Sequence, residues 1–169
     1  MRIKLLLSAF LASLLVLPAT SWAEVFFGED LGLGEGTALT EAQRVNSNAA
    51  RASFLSNLSG VGTETFESIA YGTSGPLAIN FAGAGTATLT GSGSVNSVAE
   101  GTTNGVGRYG TSGTNYWETS GAFSIEFTTG IAAFGFSGID IGDYNGQVTV
   151  TQTGGEVTMF NVGNTINGL

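Results

Sequence analysis

Side chains with oxygen ligands cluster in one glycine-rich turn late in the chain. Asp140, Asp143 and Asn145 lie within the stretch IDIGDYNG, and Glu67 in GTETFES could join them from another strand. Calcium is bound by roughly six to eight such carboxylate, amide and carbonyl oxygens. The spacing does not match an EF-hand loop. The turn therefore predicts a calcium site or, alternatively and by the habit of Asp and Asn in turns, side chains that only hydrogen-bond their own backbone.

A second candidate site is aromatic. The segment GRYGTSGTNYWET contains Arg108, Tyr109, Tyr116 and Trp117. It belongs to a stretch from Asn96 to Gly121 without clear periodicity, which predicts a long and functional or mobile loop. Exposed Tyr and Trp rings stack on sugars or anchor a protein partner. The alternative is that Tyr116 or Trp117 begins a strand and its ring covers the core.

Hydrolysis by two carboxyl groups is a third possibility. A glycosidase needs two carboxyls roughly 5 to 10 Å apart and no other side-chain chemistry. The candidates are Glu64, Glu67, Glu118, Glu126 and Asp140. With 13 acidic residues in the chain, a coincidental pair is expected. The sequence therefore favours a protein that is not an enzyme.

The first 23 residues have the layout of a secretory signal. Arg2 and Lys4 precede an apolar run from Leu5 to Leu17, and Ser21 and Ala23 are the small residues before the expected cleavage point. The run is shorter than the roughly 20 residues of a membrane-spanning helix. We therefore expect residues 1–23 to be removed and the protein to be exported, to the cell surface or medium or, alternatively, to the periplasm, with no membrane span after cleavage.

The composition of residues 24–169 excludes several classes of chemistry. This part has no lysine, histidine or cysteine. Serine triads, cysteine nucleophiles, Schiff-base lysines and Cys/His zinc sites are therefore ruled out. Three arginines oppose 13 acidic residues, a net charge of −10. Such a charge disfavours nucleic acid and anionic lipid as partners.

The remaining 146 residues fit a single domain built from short strands. Alternating apolar residues occur in PLAINFA, TATLT, AFSIEFT, QVTVTQT and EVTMFNV, and an apolar run, IAAFGF, follows the third of these. Turns are expected at Gly83 to Gly85 and at Gly154-Gly155. In TATLT, Ala87 and Leu89 are expected to face the core. The pattern predicts an all-β fold, an antiparallel β-sandwich or jelly roll.

Two local features depart from this pattern. NSNAARASFLSNLSG predicts one short helix near the N-terminus, capped at Ser47 or Asn48. The phase of alternation slips between Phe136 and Ile139, which predicts a β-bulge near Ser137-Gly138 that directs Asp140 outward.

Four stretches together resemble exported bacterial proteins of the PEP-CTERM class: GVGTETFE, FAGAGTATLTGSG, GRYGTSGTNYWET and IAAFGFSGIDIGDYNGQVTV. The resemblance covers most of residues 24–162 and contains no catalytic signature. It implies a signal peptide, a β-sandwich body and an association with exopolysaccharide, the cell surface or biofilm matrix.

The end of the chain differs from that class. It reads FNVGNTINGL, without the Pro-Glu-Pro sorting tag, apolar helix and terminal arginines. The resemblance then implies a C-terminally truncated or simply secreted form, with an unpaired edge strand near residues 156–162. We expect a binding module for exopolysaccharide or matrix, or alternatively a structural subunit that self-associates through sheet edges.

Overall fold

The computed structural model of the protein describes residues 24–30, 35–141 and 146–162. The predicted signal peptide and two of the predicted calcium ligands, Asp143 and Asn145, lie outside these ranges. Helix α1 spans Val45–Ser56, after a single 3₁₀ turn at Glu41–Gln43. The strands are β1 (Leu77–Phe81), β2 (Gly85–Gly91), β3 (Ser94–Ser97), β4 (Asn115–Glu118), β5 (Phe123–Phe127), β6 (Gln147–Thr151) and β7 (Val157–Asn161).

The described strands form three antiparallel sheets, so the all-β prediction is confirmed. One sheet has the order β1-β2-β5, and the others pair β3 with β4 and β6 with β7. Within the described ranges, no helix has the length and apolarity needed to cross a membrane.

The three-stranded sheet follows the alternation in its sequence. Ile79 on β1 and Ala87 and Leu89 on β2 are buried, while the residues between them are more exposed. Leu89 lies opposite Leu77 on one side and Ile125 on the other, so apolar side chains from three strands meet on one face. The glycine turn between β1 and β2 is confirmed, as is the hairpin of β6 and β7 at Gly154-Gly155.

Two pairs of strands, β2 with β5 and β3 with β4, meet at a shared corner. β2 runs into β3 through Ser92 and Gly93, while β4 runs into β5 through residues 119–122, so the paired strands continue across the bend. Gly91 and Gly93 have φ values of +99° and +128°, which favour glycine. A Cβ on Gly91 would lie 2.8 Å from the Ala122 oxygen, and a Cβ on Gly93 would collide with the Trp117 ring. The Gly-Ser-Gly sequence therefore allows the corner to form.

Helix α1 begins at Val45, two residues before Ser47 and three before Asn48, the two predicted caps. Its first amides are held from upstream, because Asp30 accepts hydrogen bonds from the Asn46 and Ser47 amides at 2.8 and 2.9 Å and from the Ser47 hydroxyl at 2.6 Å. Asp30 is only 7% exposed. Burial acts to raise the pKa of Asp30, but these hydrogen bonds outweigh it and lower the pKa.

The predictions for two segments, residues 131–136 and 96–121, are wrong. Residues 131–136, IAAFGF, form no strand: the Phe134 ring stacks on Phe136 at 6.0 Å and meets Phe127 edge-on at 5.6 Å instead. The predicted loop from Asn96 to Gly121 contains the end of β3 and all of β4, which pair with each other.

Candidate functional site

A polar pocket of about 490 Å³ opens at the corner where β2 leads into β3 and β4 leads into β5. Hydroxyl side chains dominate its lining, and one guanidinium and one carboxylate add charge. The lining residues are Ser74, Ser92, Gly93, Ser94, Arg108, Glu118, Thr119 and Ser120. Such groups donate and accept hydrogen bonds, which suits a hydroxyl-rich ligand.

Arg108 is held between two carboxylates. Its Nε donates to Asp140 at 3.0 Å and its Nη1 to Glu118 at 3.3 Å. All three side chains are about four-fifths buried. Burial acts to lower the pKa of Arg108, but hydrogen bonds and charges from Asp140 and Glu118 outweigh it and raise the pKa. Arg108 therefore lines the pocket as a permanent cation in a fixed orientation.

Glu118 is oriented by neutral donors as well as by Arg108. The side-chain amide of Asn104 donates to Oε1 of Glu118 at 2.8 Å, and the side-chain amide of Asn96 donates to Oε2. Ser94 lies directly opposite Glu118 across β3 and β4. A carboxylate offers about four acceptor positions. Glu118 therefore keeps acceptor capacity for a ligand while its own geometry is fixed.

Asp140 lies inward rather than outward as predicted. Its backbone has φ of +61°, a left-handed conformation uncommon outside glycine. The preceding Ile139 packs against a small core of Ala38, Leu39 and Tyr109. No strand covers Ser137-Gly138, so the predicted β-bulge is wrong. The slip in phase instead marks an irregular segment that directs Asp140 onto Arg108.

Tyr116 lies on the same face of β4 as Glu118. Its hydroxyl is buried and forms no hydrogen bond within the described residues. Burial, followed by the nearby Glu118 charge, raises the pKa of Tyr116 to about 12. Tyr116 therefore stays uncharged beside Glu118 up to strongly alkaline pH.

Trp117 supports the pocket from the opposite face of β4. Its indole lies against Gly93, and its ring centre is 6.4 Å from that of Phe123. Its Nε1 is buried without a partner among the described residues. Tyr116 and Trp117 thus lie within a strand, as the alternative predicted, and both are half-buried. Tyr109, 5% exposed, also packs in the core, against Ala38 and Leu39, and Arg108 is the predicted ligand residue that lines the pocket.

Glu67 holds the start of β4. Its carboxylate accepts hydrogen bonds from the Asn115 and Thr114 amides at 2.7 and 2.8 Å, and these bonds, led by that from Asn115, lower the pKa of Glu67. Asp140 is paired with Arg108, so these two predicted calcium ligands are engaged separately. Across the described ranges, no three acidic side chains form a metal-binding group. Calcium at this turn stays a prediction, and a melting temperature in millimolar calcium against chelator tests it.

The predicted acid candidates are distributed unevenly. Arg108 joins Glu118 and Asp140, whereas Glu64 accepts a hydrogen bond from the nearby Phe66 amide and Glu126 is exposed on β5. Each oxygen of Glu118 accepts a hydrogen bond, an arrangement suited to a fixed acceptor. A general acid must instead present a proton to the substrate.

Sequence reasoning missed the hydroxyl residues of the pocket and the two asparagines that orient Glu118. Serine and threonine are abundant throughout the chain, so their identity carries little information. A usable signal was the pair Gly91 and Gly93 within an alternating run, because glycine inside a strand pattern marks a bend or a close backbone approach.

Comparison with known proteins adds no relative on which to base a function. No protein-family model matches the chain. No curated protein and no solved structure matches it either.

Proposed function

We propose that the protein is a non-enzymatic, secreted or cell-surface module that binds exopolysaccharide or another glycan of the biofilm matrix. The observation that carries this proposal is the corner pocket, where five hydroxyl side chains surround an oriented guanidinium and carboxylate. Sugar hydroxyls both donate and accept hydrogen bonds, and such a lining offers partners for each. The predicted export signal and the resemblance to the PEP-CTERM class favour the same proposal.

The proposal extends to the arrangement of the sheets. We infer a β-sandwich in which the bent β2-β3 and β4-β5 strands contribute to both layers. The ring contact between Trp117 on β4 and Phe123 on β5 supports this arrangement, because it joins two sheets across the corner.

The binding proposal is tested with a blocking substitution. Ser120 is exposed and lines the pocket, so Ser120→Trp should fill the pocket without disturbing the core. The wild-type protein is expected to bind a subset of a neutral and anionic glycan array, and Ser120→Trp to lose that binding. The matched control is Ser112→Trp, at an exposed loop position that does not line the pocket. Silence of the wild-type protein on the whole array would end the proposal.

A second candidate function is that of a structural matrix subunit that associates edge to edge. Strands β6 and β7 pair with each other in a two-stranded sheet. Val157 and Met159 on β7 are 57% and 63% exposed, so this hairpin combines apolar surface with strand edges that pair with no other described strand. Analytical ultracentrifugation at rising concentration tests it. A monomer at every concentration would exclude this candidate and leave glycan binding standing.

A further inference from the structure

The charges around the corner pocket determine which sugars it can accept. Arg108 contributes one positive charge, whereas Glu118 and Asp140 contribute two negative charges, so the group carries a formal charge of −1. The surrounding chain does not reverse this sign, since residues 24–169 carry a net charge of −10. The electric field at the pocket therefore favours cations.

The charge of the guanidinium is already balanced by two internal carboxylates. Nε and Nη1 of Arg108 donate to Asp140 and Glu118 at 3.0 and 3.3 Å. An incoming carboxylate could reach the remaining N–H donors of Arg108, but it would add a third negative charge around a single cation. It would also approach Glu118, a pocket-lining anion, in a partly desolvated site where repulsion between like charges is stronger than in bulk water.

Glu118 offers the complementary group. Its two oxygens are fixed by Arg108, Asn104 and Asn96, and its carboxylate retains acceptor capacity toward the pocket. A protonated amine would gain both a hydrogen bond and a charge interaction there. A neutral hydroxyl would gain the hydrogen bond alone.

We propose that the pocket selects amino sugars, then neutral sugars, and rejects uronates. This inference rests on the proposed glycan binding and adds the chemical class of the ligand. Glu118 is the residue that distinguishes charged from neutral sugars. Arg108, itself held by Asp140, fixes the orientation of the Glu118 carboxylate. The hydroxyl residues of the lining contact every sugar and discriminate little among the three classes.

The test uses three β-1,4-linked tetrasaccharides, of glucosamine, glucose and glucuronate, measured by isothermal titration calorimetry at about pH 6. At that pH most of the sugar amine is protonated, whereas the uronate carboxyl is ionised. The wild-type protein is expected to bind the glucosamine oligomer roughly fivefold more tightly than the glucose oligomer, and the glucuronate oligomer most weakly.

Two substitutions separate local from overall charge. Glu118→Gln keeps the size and one acceptor of the side chain and should reduce the preference for glucosamine over glucose to about twofold or less. Glu126→Gln removes the same charge from an exposed position on β5 that does not line the pocket and should leave the preference unchanged. Equal effects of the two variants would overturn the assignment to Glu118.

The remaining outcomes bear on the two proposals differently. Glucuronate binding as tightly as glucosamine would overturn the charge selection and leave glycan binding intact. Failure of all three oligomers to bind a protein whose circular dichroism shows it to be folded, together with silence on the glycan array, would overturn both. Ser120→Trp should abolish binding of whichever oligomers bind, which ties the calorimetric signal to this pocket.

Discussion

The two sides of the corner use the same strands for different purposes. On one side, β2 and β5 bury Leu89 and Ala87 in an apolar layer. On the other, the continuations β3 and β4 carry Glu118 and the charged contacts of Arg108. Apolar burial is non-directional, whereas the charged group depends on matched distances and donors. Val95 on β3 is 1% exposed, so apolar burial stabilises both regions, whereas ligand selection should be concentrated in the second.

The strongest test of this comparison is truncation in the apolar layer. Leu89 is 4% exposed and faces apolar partners on both neighbouring strands. Leu89→Ala should lower the free energy of unfolding by about 3 kcal/mol, through lost burial and a residual cavity. Thr88→Ala, on the opposite face of β2, should cost less than about 0.5 kcal/mol. Urea denaturation measures both, and equal losses would contradict the assignment of the core.

The charged side should respond in a different way. Arg108→Met leaves Glu118 and Asp140 partly buried without their cation, and we expect a loss of about 2 kcal/mol, below the value for a fully buried pair because the group is about one-fifth exposed. Adding Glu118→Gln and Asp140→Asn to that variant should restore at least half of the loss. A triple variant as unstable as the sum of its single variants would mean that the three side chains do not act as a group.

The same contrast explains how much of the fold the sequence predicts. The sequence correctly predicts that Ala87 and Leu89 face the core, because the alternation of apolar and polar residues is visible within a few positions and depends only on burial. The hairpin at Gly154-Gly155 was found because turns have their own local chemistry. By contrast, IAAFGF is apolar enough for a strand, but its backbone pairs with no described strand. Its Phe134 ring contacts the rings of Phe136 and Phe127 instead.

The site was predicted less well because its contacts are distant in sequence. Arg108 and Asp140 are separated by 32 positions. The sequence indicates Arg108 as a candidate ligand-binding residue and Asp140 as a candidate calcium ligand, but no local pattern indicates that the two side chains pair. Helix α1 teaches the same lesson, since its cap comes from Asp30, 16 positions before Asn46. Serine and threonine at the pocket had no signal of their own.

A smaller effect is expected where Asp30 holds α1, outside both regions. Asp30→Ala removes acceptors from the Asn46 and Ser47 amides, which should cost about 1 kcal/mol at neutral pH. Because the pKa of Asp30 is lower in the folded state, its contribution is complete above the unfolded pKa, near 4, and is lost as the pH falls through the folded pKa. The gap between wild type and Asp30→Ala should therefore narrow on acidification.

Thermal unfolding between neutral pH and about pH 3 measures that gap. Glu24→Ala, at an exposed position of the same upstream segment, is the control and should match wild type throughout. A constant difference between wild type and Asp30→Ala across the pH range would show that Asp30 acts by packing and not as an ionised cap.

The smallest effect on stability is expected at Tyr116. Its replacement by Phe separates the contribution of the packed ring from that of the hydroxyl group. Its buried hydroxyl has no hydrogen-bond partner among the described residues. Removing such a group relieves a desolvation cost, so Tyr116→Phe should leave stability unchanged or raise it by up to about 1 kcal/mol.

In alkaline titration followed by tyrosine absorbance, the wild-type protein should show a component near a pKa of about 12. That component should vanish in Tyr116→Phe. Since the pKa of Tyr116 is raised in the folded state, its ionisation destabilises the wild-type fold as the pH rises from the unfolded value near 10 through about 12, so any difference in stability between the two proteins should stay constant below that window and grow within it. A loss of more than 1 kcal/mol in Tyr116→Phe at neutral pH would mean that the hydroxyl bonds to a group within the charged cluster, and the polar region would then contribute to stability as well as to selection.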